Sequence, residues 1–321
     1  MEPLLVDVLV PTYEPTAEHL RAALESLQAQ TYPHWRCTLH DESVVADVRE
    51  IVAPFLVDGR FTFLKSDRRL GIGGNWNACL RLTHQPVVAY LFHDDRWDAA
   101  YLERAVAVLQ AEPEVGLVAM AHQYDIEGGV RTGNEYAELQ HWRETQLHAG
   151  RRSGVSFLRQ WVRDGLRPNV IGEPSFCVLR RARMEQVGVW DEAMPQCLDV
   201  EYWVRLLQVT DWAYQPVSSG AFRVHVDGTT ARNRKAGKGL LDRFEILERL
   251  GRTATDVELR SCARQSLVPQ LVEMLERALE RRRQGDLGGG GGGGAFKQLC
   301  LRFPWLMTQA IARVGWRRAR G

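Results

Sequence analysis

Hydrophobic and polar positions over the first 122 residues alternate between two periods. VDVLVP (6–11), WRCTLHD (35–41), FTFLK (61–65), VVAYLF (87–92) and VGLVAMAH (115–122) are short apolar runs with the length of strands. Between them, AEHLRAALESLQAQ (17–30) sets Leu20, Ala23, Leu24 and Leu27 on one helical face. Further helical patterns cover about 45–57, the stretch from GIGG (71–74) to about Leu82, and AAYLERAVAVLQA (99–111). This rhythm predicts an α/β fold, a mostly parallel sheet with helices on both faces.

From 123 to about 230 the pattern loosens. SGVSFLRQWVRDG (153–165) and DVEYWVRLLQ (199–208) read as helices, and SFCVLRR (175–181) as a strand. Beyond about 236 the chain is charged and helical. GDLGGGGGGG (285–294) reads as a flexible linker, because a glycine run resists ordering on entropic grounds. The tail, 295–321, carries six Lys or Arg, no acid, and Phe296, Leu299, Phe303, Trp305, Leu306, Ile311 and Trp316. Pro304 predicts two short helices there rather than one.

Composition narrows the class. The 321 residues are 45% hydrophobic and 25% charged, an ordinary globular balance, and a net charge of +1 argues against nucleic acid as a partner. The six cysteines form no C-x-x-C pair, so reduced thiols in a cytoplasmic protein are expected. Glu2 and Asp7 around a short apolar run are wrong for a signal peptide, and no stretch approaches the roughly 20 apolar residues of a spanning helix.

Chemistry-bearing residues gather at predicted strand ends. Tyr13, in VLVPTYEP, can stack on a base or cover the sheet edge. Asp41, in LHDES, can accept from a base or ribose, or cap a helix. The glycines of DRRLGIGGNWN (67–77) let backbone N–H groups approach phosphate, with Arg68, Arg69 and Asn75 nearby, but lack the dinucleotide and P-loop spacings. Asp94 and Asp95, in LFHDDRW, repel unless a cation sits between them; alternatively they are a solvated loop with Asp98 as the next N-cap. Three strand ends bearing Tyr13, Asp41 and Asp95 would open on one side of a parallel sheet.

In order, PTYEP, SLQAQTYPHW, HDES, LGIGGNWN and HDDRWDAAYL resemble the N-terminal half of the inverting family 2 glycosyltransferases. IGEPSFCVLRRARMEQVGVWDE (171–192), CLDVEYWVRLL (197–207) and AFRVHVDGTT (221–230) resemble their second half. His40 and Glu42 depart from the usual D-D-G-S, His93 from a three-acid form, Leu198 from the Glu of Glu-Asp, and Glu14 from a common Asn. The resemblance implies a GT-A fold: a mostly parallel, Rossmann-like sheet flanked by helices, with a helical C-terminal extension. It would divide as a 1–235 glycosyltransferase domain (nucleotide-sugar half 1–122, acceptor half 123–235), a helical extension over 236–284, the linker 285–294 and the basic aromatic tail 295–321.

The resemblance also implies roles. Pro11, Tyr13, Asp41, Arg68, Asn75 and Asp94 would bind the nucleotide sugar. Asp95 and His225 would hold Mg²⁺ or Mn²⁺, Asp199 would be the general base, and Glu173, Trp190 and Asp191 would line the acceptor side. Glu201 is expected to be supporting or at the surface. The implied donor is a UDP- or dTDP-sugar, and the acceptor a glycan or lipid-linked glycan of surface polysaccharide synthesis. The setting is cytoplasmic, with the tail as a candidate contact for the inner face of the cell membrane; a docked cap or a disordered end are its alternatives. Rival readings are a catalytically idle carbohydrate-binding or scaffold protein, and a nucleotidyltransferase. The latter would want a basic glycine loop where PTYEP stands.

Overall fold

A computed structural model describes residues 2–128, 135–194, 196–225, 238–283 and 292–320. The 235/236 boundary and residues 285–291 of the glycine linker lie outside the described residues. The chain divides into two compact units. The first holds residues 1–155, 168–193 and 202–226, the second 156–167, 194–201 and 227–321.

The first unit is built on an eight-stranded sheet. Strands β1 (Val6–Thr12), β2 (Trp35–Asp41), β3 (Phe61–Lys65) and β4 (Val87–Tyr90) run parallel, and β6 (Val115–Met120) and β10 (Asp211–Gln215) are parallel to each other. Two strands run against them: β9 (Cys177–Arg180) between β4 and β6, and β8 (Gly150–Arg152) at the edge beside β10. The order is β3-β2-β1-β4-β9-β6-β10-β8. Every residue of β1 is buried, as a continuous apolar run in a sheet covered on both faces requires. A small second sheet joins β5 (Arg96–Trp97), β11 (Gly220–Val224) and β7 (Gln123–Ile126), in the order β5-β11-β7.

The helices follow the apolar periodicity. Helix α1 (Ala17–Gln28) buries Leu20, Ala23, Leu24 and Leu27, and the Thr16 hydroxyl caps it by accepting from His19 N at 3.2 Å. Only α2 (Val48–Val52) and one 3-10 turn (Phe55–Val57) form within the stretch predicted as helical over 45–57. Helix α3 (Ile72–Arg81) starts at Gly71, whose φ of 77° is a left-handed conformation suited to glycine. Helix α4 (Tyr101–Ala111) begins after Ala100, so Asp98 is not its N-cap. Helices α5 (Glu135–Gln146) and α7 (Arg181–Val187) complete this unit. α6 (Gly154–Arg163) and α8 (Leu198–Leu206) each cross between the two units.

In the second unit, α9 (Lys238–Thr253) packs on α10 (Val257–Arg283). The tail forms α11 (Gly292–Arg302) and α12 (Pro304–Arg320), broken at Pro304 as the sequence predicts. Helix α11 begins three residues inside the predicted linker. Phe244, Leu247, Leu259, Leu271, Leu299, Met307, Ala310 and Val314 make an apolar core here. Phe303 sets its ring edge-on to Phe244 at 5.1 Å. Glu201, expected to be supporting or at the surface, is 2% exposed and pairs with Arg249 at 3.1 Å.

Candidate active site at the strand ends

Register brings the predicted acids to one edge. Thr12 stands beside Asp41, and Asp41 beside Lys65, at the C-terminal ends of β1, β2 and β3. Leu91 N donates to Leu9 O at 2.9 Å, carrying the Phe92–Asp95 turn past the end of β4 on the same side.

At the first of these ends, the chain consumes its own polar groups. Asp41 is fully buried: Oδ1 accepts from the Thr12 hydroxyl (3.1 Å) and Ser43 N (2.9 Å), and Oδ2 from Lys65 Nζ (2.6 Å). The chain's own donors thus hold Asp41 as framework, whereas the sequence expectation set it against a base or ribose. Asn75 is buried as well, bonded to His40 Nδ1 (2.7 Å) and donating to Thr12 O (3.1 Å), so it does not reach a phosphate. The glycine loop is likewise committed. Leu70 N and Gly71 N donate to the Glu42 carboxylate, which takes the place at the α3 N-terminus where an outside anion would sit. Gly73 and Gly74 lie within α3 against Glu192, and a Cβ on Gly73 would come within 3.1 Å of the Glu192 backbone.

Tyr13 and the two arginines remain at the surface of this corner. The Arg69 guanidinium lies over the Tyr13 ring, 4.2 Å from its centroid, and Arg68 is exposed. Pro11 is buried, and its carbonyl faces His93 Nδ1 at 3.5 Å. Glu14, held at φ 45°, accepts from Val44, Val45 and Ala46 N–H. The Val45 N–H foremost holds its carboxyl below the usual range.

The turn after β4 is different in kind. Asp95 is 1% exposed; its Oδ1 accepts from Arg223 N (3.0 Å), while buried Oδ2 has no hydrogen-bond partner. Burial, and then the charge of Asp94, push the Asp95 carboxyl well above the carboxylate range. Burial works the same way on Asp94, but the hydrogen bond from His225 and the charge of His93 leave it below its ordinary value. His225 Nε2 lies 3.1 Å from Asp94 Oδ2, and Arg223 Nε donates to Asp94 O at 3.1 Å. Strand β11 thus delivers Arg223 and His225 to the acid pair; sequence reasoning gave no role to Arg223, although the R-x-H spacing was visible.

Among the described residues, no three His, Cys, Asp or Glu side chains converge to hold a metal by themselves. The acid pair nevertheless fits a divalent cation whose remaining ligands would come from outside the chain. A buried, orphaned carboxylate oxygen beside a second carboxylate is what a hard cation would satisfy.

Of the acceptor-side candidates, Glu173 is built into a network. Its Oε2 lies 3.0 Å from His122 Nε2 and 3.8 Å from Arg143 Nη2, and the Tyr124 hydroxyl donates to Oε1 at 3.5 Å. Burial opposes its charge, yet the hydrogen bond from His122 and the charges of His122 and Arg143 bring its carboxyl down to about 2. Trp190 does not line a pocket, contrary to expectation. Its ring is 1% exposed, stacked on Tyr202 at 3.9 Å, with Nε1 donating to the Tyr90 hydroxyl at 2.9 Å. Asp191, half-buried, accepts from Ala193 N at 3.1 Å. Asp199, grouped with the second unit, sits half-buried in the first turn of α8, and its Oδ1 accepts from Val200 N at 2.8 Å.

Comparison with known proteins decides the class. Residues 7–166 match the model of Glycosyl transferase family 2. This chain carries a family 2 glycosyltransferase domain. Over 246 residues the chain aligns at 26% identity with the protein MT1568 of Mycobacterium tuberculosis, covering 76% of this chain and 74% of that one. A stretch of 110 residues is 30% identical to the Escherichia coli UDP-Glc:alpha-D-GlcNAc-diphosphoundecaprenol beta-1,3-glucosyltransferase WfgD, covering 34% of this chain and 42% of WfgD. The glycosyltransferase fold itself is seen in the mannosyltransferase PcManGT of Pyrobaculum calidifontis, solved with GDP-Man and Mn²⁺. The TM-score is 0.61 at 16% identity, over 99% of this chain and 88% of that one. Staphylococcus aureus TarS 1–349, solved with UDP, matches with a TM-score of 0.57 at 12% identity, over 92% of each chain. The α/β architecture with its mostly parallel sheet and C-terminal helices is that of the GT-A glycosyltransferases.

Proposed function

We propose that this glycosyltransferase moves a sugar from a nucleoside-diphosphate sugar to a hydroxyl acceptor, with inversion and with a divalent cation. The observation that carries the reading is the buried Asp95 Oδ2, unsatisfied beside Asp94 at a strand end. A bound Mg²⁺ or Mn²⁺ would supply Lewis-acid neutralisation of the diphosphate leaving group. The Mn²⁺ of the archaeal mannosyltransferase structure supports that choice. Asp95 and Asp94 would hold the cation, with His225 fixing Asp94. Tyr13 would present its ring to the base once Arg69 swings aside, and Arg68 and Arg69 would then meet phosphate charge.

Asp199 is the proposed base. Its place in the first turn of a helix favours the ionised form that a base requires. It would take the proton of the acceptor hydroxyl as that oxygen bonds to the anomeric carbon. The bond from that carbon to the diphosphate oxygen breaks on the opposite side, its electron pair leaving with the diphosphate. Glu173, held ionised, and Asp191 would orient acceptor hydroxyls. A uridine or thymidine diphosphate donor and a glycan or lipid-linked glycan acceptor are the proposed partners, supported by the UDP bound to TarS and by the acceptor in the WfgD name. The proposed setting is the cytoplasmic face of the cell membrane.

Thermal unfolding against UDP, dTDP, GDP and CMP, with and without Mn²⁺, tests this. A ligand at about 100 times its Kd stabilises by roughly 2.7 kcal/mol. One nucleoside diphosphate should raise Tm only with Mn²⁺, and Asp95→Ala should abolish the rise. A panel without any Mn²⁺-dependent rise refutes the donor site.

A further inference from the structure

The tail helices present two unlike faces. On α12, Met307, Ala310 and Val314 are 3%, 0% and 6% exposed, and the helix packs on α10 through this stripe. Trp305 and Trp316 are 73% and 59% exposed. At 100° per residue they fall within about 20° of one another, on the side opposite the buried stripe. The two indoles thus stand in line, about 16 Å apart along the helix. Leu301 on α11, 73% exposed, and Ile311, 53% exposed, add aliphatic surface.

Charge says what this face meets. Lys297 and Arg313 are exposed. The sequence adds Arg317, Arg318 and Arg320, Arg302 being paired with Glu245, and 295–321 holds no acid. In the remaining 294 residues acids outnumber Lys and Arg, 40 to 35, so the positive charge is concentrated in the tail. A water-facing helix has no use for two exposed tryptophans, whose amphipathic rings prefer the headgroup level of a bilayer. No helix among the described residues is long and apolar enough to cross a membrane.

We propose that α11 and α12 form an interfacial anchor that lays Trp305 and Trp316 into an anionic lipid surface, with the flanking cations against the headgroups. The buried stripe keeps α12 docked on its own unit while the outer face binds lipid, so no unfolding is needed. The inference stands apart from the identity of the donor sugar and from the metal, and its test reads no activity.

The experiment is flotation of the full chain with two sets of vesicles: phosphatidylcholine alone, and phosphatidylcholine with phosphatidylglycerol in equal parts. Binding is expected to the anionic vesicles only, to weaken as salt rises, and to fall about fivefold for each of Lys297→Gln and Arg313→Gln. Trp305→Ser with Trp316→Ser should lose flotation at least tenfold while retaining the Tm of the parent chain. Trp305→Tyr with Trp316→Tyr should keep most of it, which separates a lipid role from a fold defect. Equal flotation of parent and serine variant, or none with anionic vesicles, overturns the proposal. Self-association of the parent chain without lipid, abolished by the serine substitutions, also overturns it and makes the face a protein interface.

Discussion

Two strand ends of one sheet carry buried acids, and the chain treats them in opposite ways. At the end of β2, Asp41 receives three donors from its own unit, Lys65 among them, and Glu42 and Asn75 are similarly engaged. At the end of β4, Asp95 is just as deeply buried, yet one oxygen goes unsatisfied and a second carboxylate stands next to it. A buried polar group with all its partners is framework; one left wanting is costly unless something from outside completes it. The proposal that the donor binds at Asp95 rests on this contrast: an acid left unsatisfied beside a second carboxylate, and not merely an acid at a strand end.

The comparison can be broken most sharply at Asp95. Asp95→Asn should lower the transfer rate about 10³-fold, the scale of losing a charge-stabilising group, and erase the Mn²⁺-dependent rise in Tm. The ligand-free chain should be no less stable, because the substitution relieves a repulsion. Steady-state rates and melting of the metal-free protein check both halves, and a destabilised apo variant would show that Asp95 is framework after all.

Next comes Glu173, proposed for the acceptor side, which shares features of both corners: His122 and Arg143 stand by its Oε2 as charge partners, yet that buried oxygen lacks a well-formed hydrogen bond. Its carboxyl, lowered from 4.5 to about 2, contributes stability that is complete above pH 4.5 and lost as pH falls through about 2. Glu173→Gln should therefore cost on the order of 3 kcal/mol at pH 7, with the gap to the parent chain closing between pH 4.5 and 2. Urea titrations across that range measure it; a gap that is constant with pH would mean the network is not held by charge.

The smallest effect belongs to Asp41. Asp41→Asn should cost about 1–2 kcal/mol, since Lys65 can turn to water, and leave the nucleoside diphosphate Kd at saturating Mn²⁺ unchanged. Isothermal titration decides this, and a clear rise in Kd would return Asp41 to the nucleotide site.

Much of the framework is legible in the sequence. Period-3.6 spacing names the buried face of α1 residue by residue, and the apolar runs mark β1, β2, β3, β4 and β6, but not β10, whose short DWAYQ is polar at both ends. Direction is not legible. SFCVLRR reads as a strand, but nothing in its composition tells that β9 runs against β4 and β6, because strand propensity has no polarity. Acids at strand ends are visible, whereas which of them find partners depends on register: the lysine ending FTFLK is cross-strand neighbour to Asp41, a pairing that strand order would have revealed. Trp190 misleads for the same reason. Its burial arises from Tyr202 and from Tyr90 and Asn77, the last two lying 100 and 113 positions away in the sequence. Arg223 was in view as part of R-x-H, but its backbone N–H, not its charge, is what reaches Asp95.

The partners of the acid pair come from 128 to 131 positions further along the chain. A ribosome emitting this protein has finished β1 to β4 long before Arg223 and His225 exist. A loop of that length closes late, after the sheet around it has formed. The proposed donor cradle is consequently a product of completed folding. Residues 7–166, though enough to declare the family, lack the segment that partners the acid pair. A nascent or cleaved chain that stops before Arg223 would hold much of the sheet without the partners of its acid pair.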